Sequence, residues 1–127
     1  MTIRPVTAAP FVGTGPITFG VEYSPDNFLI VKQATKFSVG VREIAWNAAL
    51  LQPAGARVLT FRFARVLKGG AEEVLDSVEI PLSNPTAMIV AATSDMAATA
   101  KNEPGTYVVR LVRGYDVMAE GTLTLVK

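Results

Sequence analysis

The sequence predicts an all-β protein, an antiparallel β-sandwich of about seven to nine strands. The last third of the chain, residues 105–126, holds two runs rich in β-branched residues that are separated by a turn at Gly114. Elsewhere, short segments of alternating apolar and polar residues recur between clusters of turn residues. Only one short segment has helical character, which argues against the alternating βαβ pattern of nucleotide-binding folds.

The first half of the domain contains three or four of these strands. Residues 17–23 alternate apolar and polar side chains, which is typical of a half-buried strand, and residues 24–27 close it as a turn. Residues 28–31 and 35–41 predict one irregular strand or two short ones. Residues 43–51 fit a strand through Ile44, Trp46 and Leu50, although their alanines would also suit a helix. We favour a strand, paired in a long hairpin with residues 58–67 across the turn at 52–55.

The second half continues the pattern. Gly69 and Gly70 predict a hairpin turn that leads into a more exposed strand, residues 72–82, where Pro81 suits an edge or an end. Residues 86–92 predict a further strand. Residues 94–101 predict a single helical turn whose free N–H groups are capped by Ser94 or Asp95. The terminal hairpin follows.

Composition predicts one packed domain with an extended start. The 127 residues are near the modal size of a domain, and 50% of them are apolar. Residues 1–16 are rich in Thr, Pro, Ala and Gly, which predicts a flexible N-terminal arm or linker, and residues 17–127 form the β-sandwich domain. This start is either a plain flexible segment or an arm that docks on a neighbouring subunit. It has no apolar core of a signal peptide, and no segment approaches the roughly 20 apolar residues of a membrane span.

Charge and residue content narrow the function classes. The net charge is only +1, and the basic residues are scattered along the chain. This pattern argues against nucleic-acid binding and against a polybasic membrane patch. Cysteine and histidine are both absent. Disulfides, thiol nucleophiles, Ser-His-Asp triads and His-based metal sites are therefore excluded within this chain. We expect no enzyme, catalytic residue, cofactor or metal, with an enzyme that uses only carboxylates, Lys, Ser or Tyr as the alternative.

Several charged clusters could in principle carry chemistry. Two clusters of acidic residues are interpreted as solvated strand faces: Glu72, Glu73 and Asp76 in one, and Asp116 and Glu120 in the other. Nothing near either cluster resembles a calcium loop. In a regular strand Glu72 and Asp76 share a face and Glu73 does not. Two predicted strands carry four arginines, Arg62, Arg65, Arg110 and Arg113. They indicate either cross-strand ion pairs with Glu43, Glu79 or Glu120, or a protein-binding face opposite these glutamates. Tyr23 and Tyr115 are the candidate exposed aromatic residues.

Residues 103–109 resemble the entry to strand F of immunoglobulin-like domains. The resemblance implies that Tyr107 is the corner tyrosine, that Val109 takes the place of the second cysteine and that Trp46 is the core tryptophan. The fuller pattern over residues 104–123 is similar to the C-terminal hairpin of bacterial immunoglobulin-like modules found in surface and secreted proteins. For such modules the implied role is display, spacing or protein binding, and no catalytic residues are implied.

The resulting functional prediction is a non-catalytic immunoglobulin-like module whose partner is a protein, either a second copy or another subunit. A homo-oligomer fits this description. One alternative is a structural or decoration subunit of a virion or other large assembly. Another is a protease-inhibitor-like module that presents its loops at residues 24–27 and 83–85. We expect an extracellular or cell-surface location if the chain is a fragment of an exported protein, and otherwise a virion or cytoplasmic one.

Overall fold

The structure is a computed structural model that describes residues 10–127. The first nine residues of the predicted arm lie outside the described residues. The described chain forms nine strands and one helical turn, in the order β1 Gly15–Tyr23, β2 Ile30–Gln33, β3 Lys36–Ser38, β4 Ile44–Ala49, β5 Val58–Val66, β6 Glu72–Pro81, β7 Ile89–Ser94, α1 Met96–Thr99, β8 Gly105–Arg113 and β9 Asp116–Val126.

The strands form one curled, mixed sheet in the order β6-β5-β8-β9-β1-β4-β7, with β2 paired to β1 and β3 paired to β9. The sheet curls enough for its two ends to face each other across the core. The ring of Trp46 on β4 stacks on that of Phe61 on β5, with 5.3 Å between centroids. Beside this contact, Phe63 stacks on Tyr107 at 5.2 Å. The predicted all-β class and the strand number are confirmed.

Strand β1 joins the two walls of the curled sheet. Its first residues, Gly15 and Pro16, pair in parallel with β9, whereas residues 17–20 pair antiparallel with β4. A Cβ atom on Gly15 would lie 1.9 Å from the carbonyl oxygen of Ala49. The change of partner therefore depends on a residue without a side chain at this point. Before β1, the side chain of Gln52 bonds the backbone of Pro10 and Val12.

The start of β8 is pinned by a tyrosine corner, as the resemblance implied. Tyr107 is fully buried, and its hydroxyl donates a hydrogen bond to the carbonyl oxygen of Glu103 at 2.5 Å. Val109, two residues further along the strand, is also fully buried. The predicted terminal hairpin is confirmed as β8 and β9, joined by a two-residue turn at Gly114 and Tyr115.

Removing the corner hydroxyl should weaken the fold without emptying the core. We expect Tyr107→Phe to lower the free energy of unfolding by about 1 kcal/mol, the typical net worth of one such hydrogen bond. Urea denaturation followed by Trp46 fluorescence measures the change. Tyr115→Phe is the matched control, because that side chain is fully exposed in the hairpin turn, and it should leave the midpoint unchanged. Equal midpoints for the two variants would contradict a structural role of the corner.

Three local expectations are wrong. β4 does not form a hairpin with β5 but lies between β1 and β7. Both of its faces are buried, because the segment after β1 lies against its outer face, where Asn47 Nδ2 donates to the carbonyl oxygen of Phe28. Such two-sided burial produces the nearly continuous apolar run that made residues 43–51 ambiguous. Pairing is also not purely antiparallel, since β1 and β3 run parallel to β9.

The third concerns the helical turn. Asp95 occupies the N-cap position of α1 but makes no side-chain capping bond. Ser94 instead accepts a hydrogen bond from Trp46 Nε1 at 3.0 Å, and Asp95 Oδ1 lies 3.5 Å from the Thr99 hydroxyl that donates to it. The turn is held by its buried residues Met96 and Ala97 rather than by a cap. None of the helices in residues 10–127 has the length and apolar character needed to cross a membrane.

Candidate interaction site

The curled sheet is open between β6 and β7, the strands at the two ends of its strand order. Within the described residues β6 pairs only with β5, and β7 pairs only with β4. We call the open side between these two edge strands the seam. Two cavities lie along it, and both are lined by residues of β6 and β7.

The first cavity, here the Met96 cavity, has a volume of about 220 Å³. Its floor consists of core side chains, Phe61, Phe63 and Met96, all of them buried. Two carboxyl-bearing residues, Asp76 from β6 and Asp95 before α1, also line it. Neither carboxylate takes part in an ion pair among residues 10–127. The cavity therefore combines an apolar floor with uncompensated negative charge.

The second cavity, here the Phe28 cavity, has a volume of about 320 Å³ and shares Ile80 with the first. Most of its lining residues have apolar side chains, among them Phe28, Ile89 and Val90. One of the two loops that the sequence singled out lines this cavity, and so does the residue that follows the other loop. Phe28 directly follows the loop at residues 24–27, and Ser83 and Asn84 belong to the other.

Both loops have defined internal hydrogen bonds. Asn27 Oδ1 accepts from the backbone N–H of Leu29, and Asn84 Oδ1 accepts from the N–H and the hydroxyl of Thr86. The carbonyl oxygen of Pro85 accepts a further bond from the N–H of Gly55. These bonds hold the backbone of both loops in a defined conformation.

The two edges of the seam differ in chemistry. β6 carries four carboxylates, a register shift that marks a bulge and a proline at its end, all features that discourage pairing with another strand. β7 reads Ile-Val-Ala-Ala-Thr-Ser and has no charge and no proline. The unpaired edge of β7 is therefore open to a further strand, whereas the edge of β6 is protected.

The outer face of β5, β6, β8 and β9 carries an ion-pair network, here the Arg110 network. The Arg110 guanidinium bonds both carboxylate oxygens of Glu72, with Nη2 to Oε2 at 2.8 Å, and its Nε donates to Glu120 Oε1 at 2.7 Å. Ala64 and Val108 lie opposite each other on the same face and are buried although they point away from the core. The network thus covers apolar surface as well as pairing charge.

The network shifts the ionisation of its members. The hydrogen bonds from Arg110 lower the pKa of Glu72. In return, the hydrogen bonds to Glu72, and to a smaller extent to Glu120, raise the pKa of Arg110. A carboxylate whose folded pKa lies below its unfolded value of about 4.3 adds stability above that pH. That stability is lost as the pH falls through the lower, folded pKa.

Acid sensitivity tests this network. We expect Glu72→Gln to lower stability near neutral pH and to reduce the dependence of stability on pH between about pH 5 and pH 2, because the variant has no carboxylate to protonate there. Thermal unfolding across that range measures the slope. Glu79→Gln is the control, since Glu79 is exposed on the same strand and makes no ion pair within the described chain. Parallel curves for wild type and Glu72→Gln would contradict the coupling.

The other predicted charged residues are placed separately. Arg65 lies over the ring of Tyr107 and pairs with Glu73 and Glu103, while Arg113 pairs with Asp116. The prediction of cross-strand ion pairs is thus confirmed for Arg65, Arg110 and Arg113, whereas Arg62 forms no ion pair among residues 10–127. Of the three carboxylates predicted to face the arginines, Glu120 pairs with Arg110. Glu43 and Glu79 form no ion pair in the part of the chain that is described.

The carboxylates at residues 72–76 do not share faces as the sequence indicated. Arg65 is opposite Glu73 and Phe63 is opposite Asp76, so these two carboxylates lie on the core side, while Glu72 lies on the outer face. The bulge beside Ala64 inserts one residue into β6 and reverses the alternation. Among residues 10–127 no group of three His, Cys, Asp or Glu residues could hold a metal ion. Of the two tyrosines, Tyr115 is fully exposed and Tyr23 contacts the Phe28 ring.

The curled all-β sheet, the single core between its two walls and the tyrosine corner at the start of β8 define an immunoglobulin-like fold. An immunoglobulin-like protein from Pseudomonas aeruginosa has a similar structure, with a TM-score of 0.56 and 18% sequence identity over 94% of this chain and 98% of that chain. This likeness confirms the immunoglobulin-like fold that the terminal hairpin predicted.

A second solved structure is less similar. It is the Pseudomonas fluorescens alkylpurine DNA glycosylase AlkC bound to DNA containing an abasic site analog, with a TM-score of 0.45 and 15% identity over 89% of this chain and 29% of that chain. No protein-family model and no curated protein sequence matches the chain.

Proposed function

We propose that the chain is a non-catalytic immunoglobulin-like module that works by contact with another protein. The observation that carries this proposal is the seam, where the uncharged free edge of β7 runs beside two cavities lined by both apolar and polar side chains. A free, uncharged edge strand is a template for pairing with a further chain. Its position beside two open cavities supports a role in binding rather than a role in packing within the domain.

The distribution of titratable groups also supports a non-catalytic role. Those with shifted pKa values, Arg65, Glu72 and Arg110, all belong to arginine–carboxylate pairs on the sheet. Catalytic sites more commonly hold such groups together in a cleft. Asp76 and Asp95 line a cavity in which the Thr99 hydroxyl donates to Asp95 Oδ1 at 3.5 Å, which is longer than the roughly 2.6–3.2 Å between an activated nucleophile and its base.

A subunit of a larger assembly is a second candidate function. Four exposed apolar side chains lie towards one end of the domain: Phe11, Val12, Leu51 and Met88. Hydrogen bonds bring them together there, because Gln52 bonds the backbone of Val12 and the N–H of Leu50 donates to the carbonyl oxygen of Met88. Exposed apolar groups gathered at one end favour a contact with a neighbouring subunit. In that case the purified chain should form oligomers through this end.

Site-specific photo-crosslinking tests the proposed function. A benzophenone side chain at Thr93, which is exposed on β7, should capture a discrete protein from an extract of the natural host, and excess unlabelled chain should compete for it. The matched control carries the same group at Thr106, which is exposed on β8 outside the seam. Light scattering on the purified chain identifies the assembly alternative. Turnover of a substrate by the pure protein, or no competed capture at either position, would overturn the proposal.

A further inference from the structure

We propose that the seam binds an extended segment of a partner protein as an added strand on β7, with a lysine or arginine side chain of that segment in the Met96 cavity. This inference rests on the proposed function and names the surface and the chemistry of the partner. Three features of the seam support it: the state of the two strand edges, the size and charge of the first cavity, and the spacing of the two cavities.

The edge of β7 selects an extended partner. All six residues of β7 pair with β4, so alternate backbone N–H and C=O groups on its other side have no strand partner in the described chain. The charges, bulge and proline that protect β6 are missing from β7. An added strand would satisfy these backbone groups, and its alternate side chains would point into the seam.

The size of the Met96 cavity selects one side chain rather than a free small molecule. Its volume of about 220 Å³ is below the roughly 300–1,000 Å³ of sites for drug-sized ligands. It exceeds the roughly 150 Å³ of a cavity known to accept benzene. One long side chain therefore fits it.

The charge of the cavity selects the type of side chain. Among residues 10–127, the half-buried Asp76 accepts a hydrogen bond only from the backbone N–H of Ser77, and Asp95 is exposed at the rim. No cationic side chain of the described chain lines the cavity. A lysine or arginine places its alkyl stem against Phe61, Phe63 and Met96 while its charged end meets the two carboxylates.

The spacing of the cavities predicts a second anchor. Residues 92–94 of β7 line the Met96 cavity, and residues 89–91 line the Phe28 cavity. The three-residue offset corresponds to roughly 10 Å along a strand, at about 3.3 Å per residue. Side chains on one face of a strand repeat every second residue, so an apolar residue two or four positions from the basic residue would enter the Phe28 cavity.

A peptide titration followed by NMR of the isotope-labelled chain tests the proposal. The probe is the capped peptide Val-Thr-Val-Thr-Lys-Thr-Val-Thr-Val, and its partner probe has glutamate in place of the lysine. We expect chemical-shift changes confined to β7, Asp76–Ile80 and the other residues that line the two cavities, including Phe61, Phe63, Asp95 and Met96. The lysine peptide should bind at least tenfold more tightly than the glutamate peptide.

Matched variants identify the carboxylates responsible. The double variant Asp76→Asn/Asp95→Asn should reduce the preference for lysine to less than twofold, while the remaining Oδ1 of residue 76 can still accept from Ser77. The control Glu22→Gln/Glu79→Gln removes the same charge from exposed residues outside the two cavities and should retain the preference. Thermal unfolding establishes that both variants are folded.

Three results would overturn the inference: no shifts along β7 at millimolar peptide, equal affinity for the two peptides, or an unchanged preference in the Asp76→Asn/Asp95→Asn variant. A dimer formed through β7 that excludes the peptide would also overturn it, because the occupant would then be a second copy. If the peptide fails while the crosslinking experiment captures a partner elsewhere, the seam proposal is lost and the module function stands.

Discussion

Replacing Trp46 by alanine should produce the largest loss of stability in the described chain, about 3–5 kcal/mol in the free energy of unfolding. Trp46 is fully buried on β4 and stacks on Phe61 of the opposite wall. Its Nε1 also donates to the hydroxyl oxygen of Ser94, which would lose that donor. The substitution removes the contact that joins the two walls and leaves a cavity at its centre.

Urea denaturation followed by far-ultraviolet circular dichroism measures this loss. Val21→Ala is the control, because Val21 is an exposed β-branched residue of β1, and its stability should stay within about 0.5 kcal/mol of wild type. A loss below about 1 kcal/mol in Trp46→Ala would contradict a core built around this side chain. If the variant does not fold, Trp46→Phe keeps the test available, with a smaller expected loss.

Substituting alanine for Gly15 should have the second largest effect, a loss of about 3 kcal/mol or more. The new Cβ would lie 1.9 Å from the Ala49 carbonyl oxygen and 3.0 Å from its carbonyl carbon, and backbone atoms cannot move aside as a flexible side chain would. Relief of this clash requires β1 to move away from β4 at the residue where it changes partner.

Thermal unfolding measures the effect, with Pro16→Ala as the control at the neighbouring, exposed position. That control should cost less than about 1 kcal/mol, since it changes chiefly the freedom of the unfolded chain. A Gly15→Ala variant as stable as Pro16→Ala would show that β1 does not approach β4 this closely.

Local patterns predicted the strands better than their pairing. Alternation located β1, β5, β6 and both strands of the terminal hairpin within a few residues, because it records which side of each strand is buried. It carries no information on which strand lies beside which. β4 shows this limit: both its faces are buried, so the alternation is weak, and the short turn after it suggested a hairpin that does not form. β7 begins at Ile89, after the hydrogen-bonded turn at Asn84, and so starts later than predicted.

The candidate site was less predictable than the fold. The sequence singled out the loops at residues 24–27 and 83–85; Ser83 and Asn84 of the second loop line the Phe28 cavity, whereas the first loop itself does not and is only followed by a lining residue, Phe28. It also singled out Asp76, but as part of a solvated carboxylate group, because the bulge in β6 that turns Asp76 toward the seam has no local signal. β7 was predicted as a strand, yet its free edge arises from long-range topology alone. The uncharged run of β7 beside the charged run of β6 is the signal that could have indicated the seam.

Nuclear Overhauser contacts in solution test the arrangement of the two walls most directly. We expect ring-to-ring contacts between Trp46 and Phe61, backbone contacts between Trp46 and Ala92, and none between the backbones of β6 and β7. Backbone contacts that pair β4 with β5, or that join β6 to β7 and close the seam, would contradict the account.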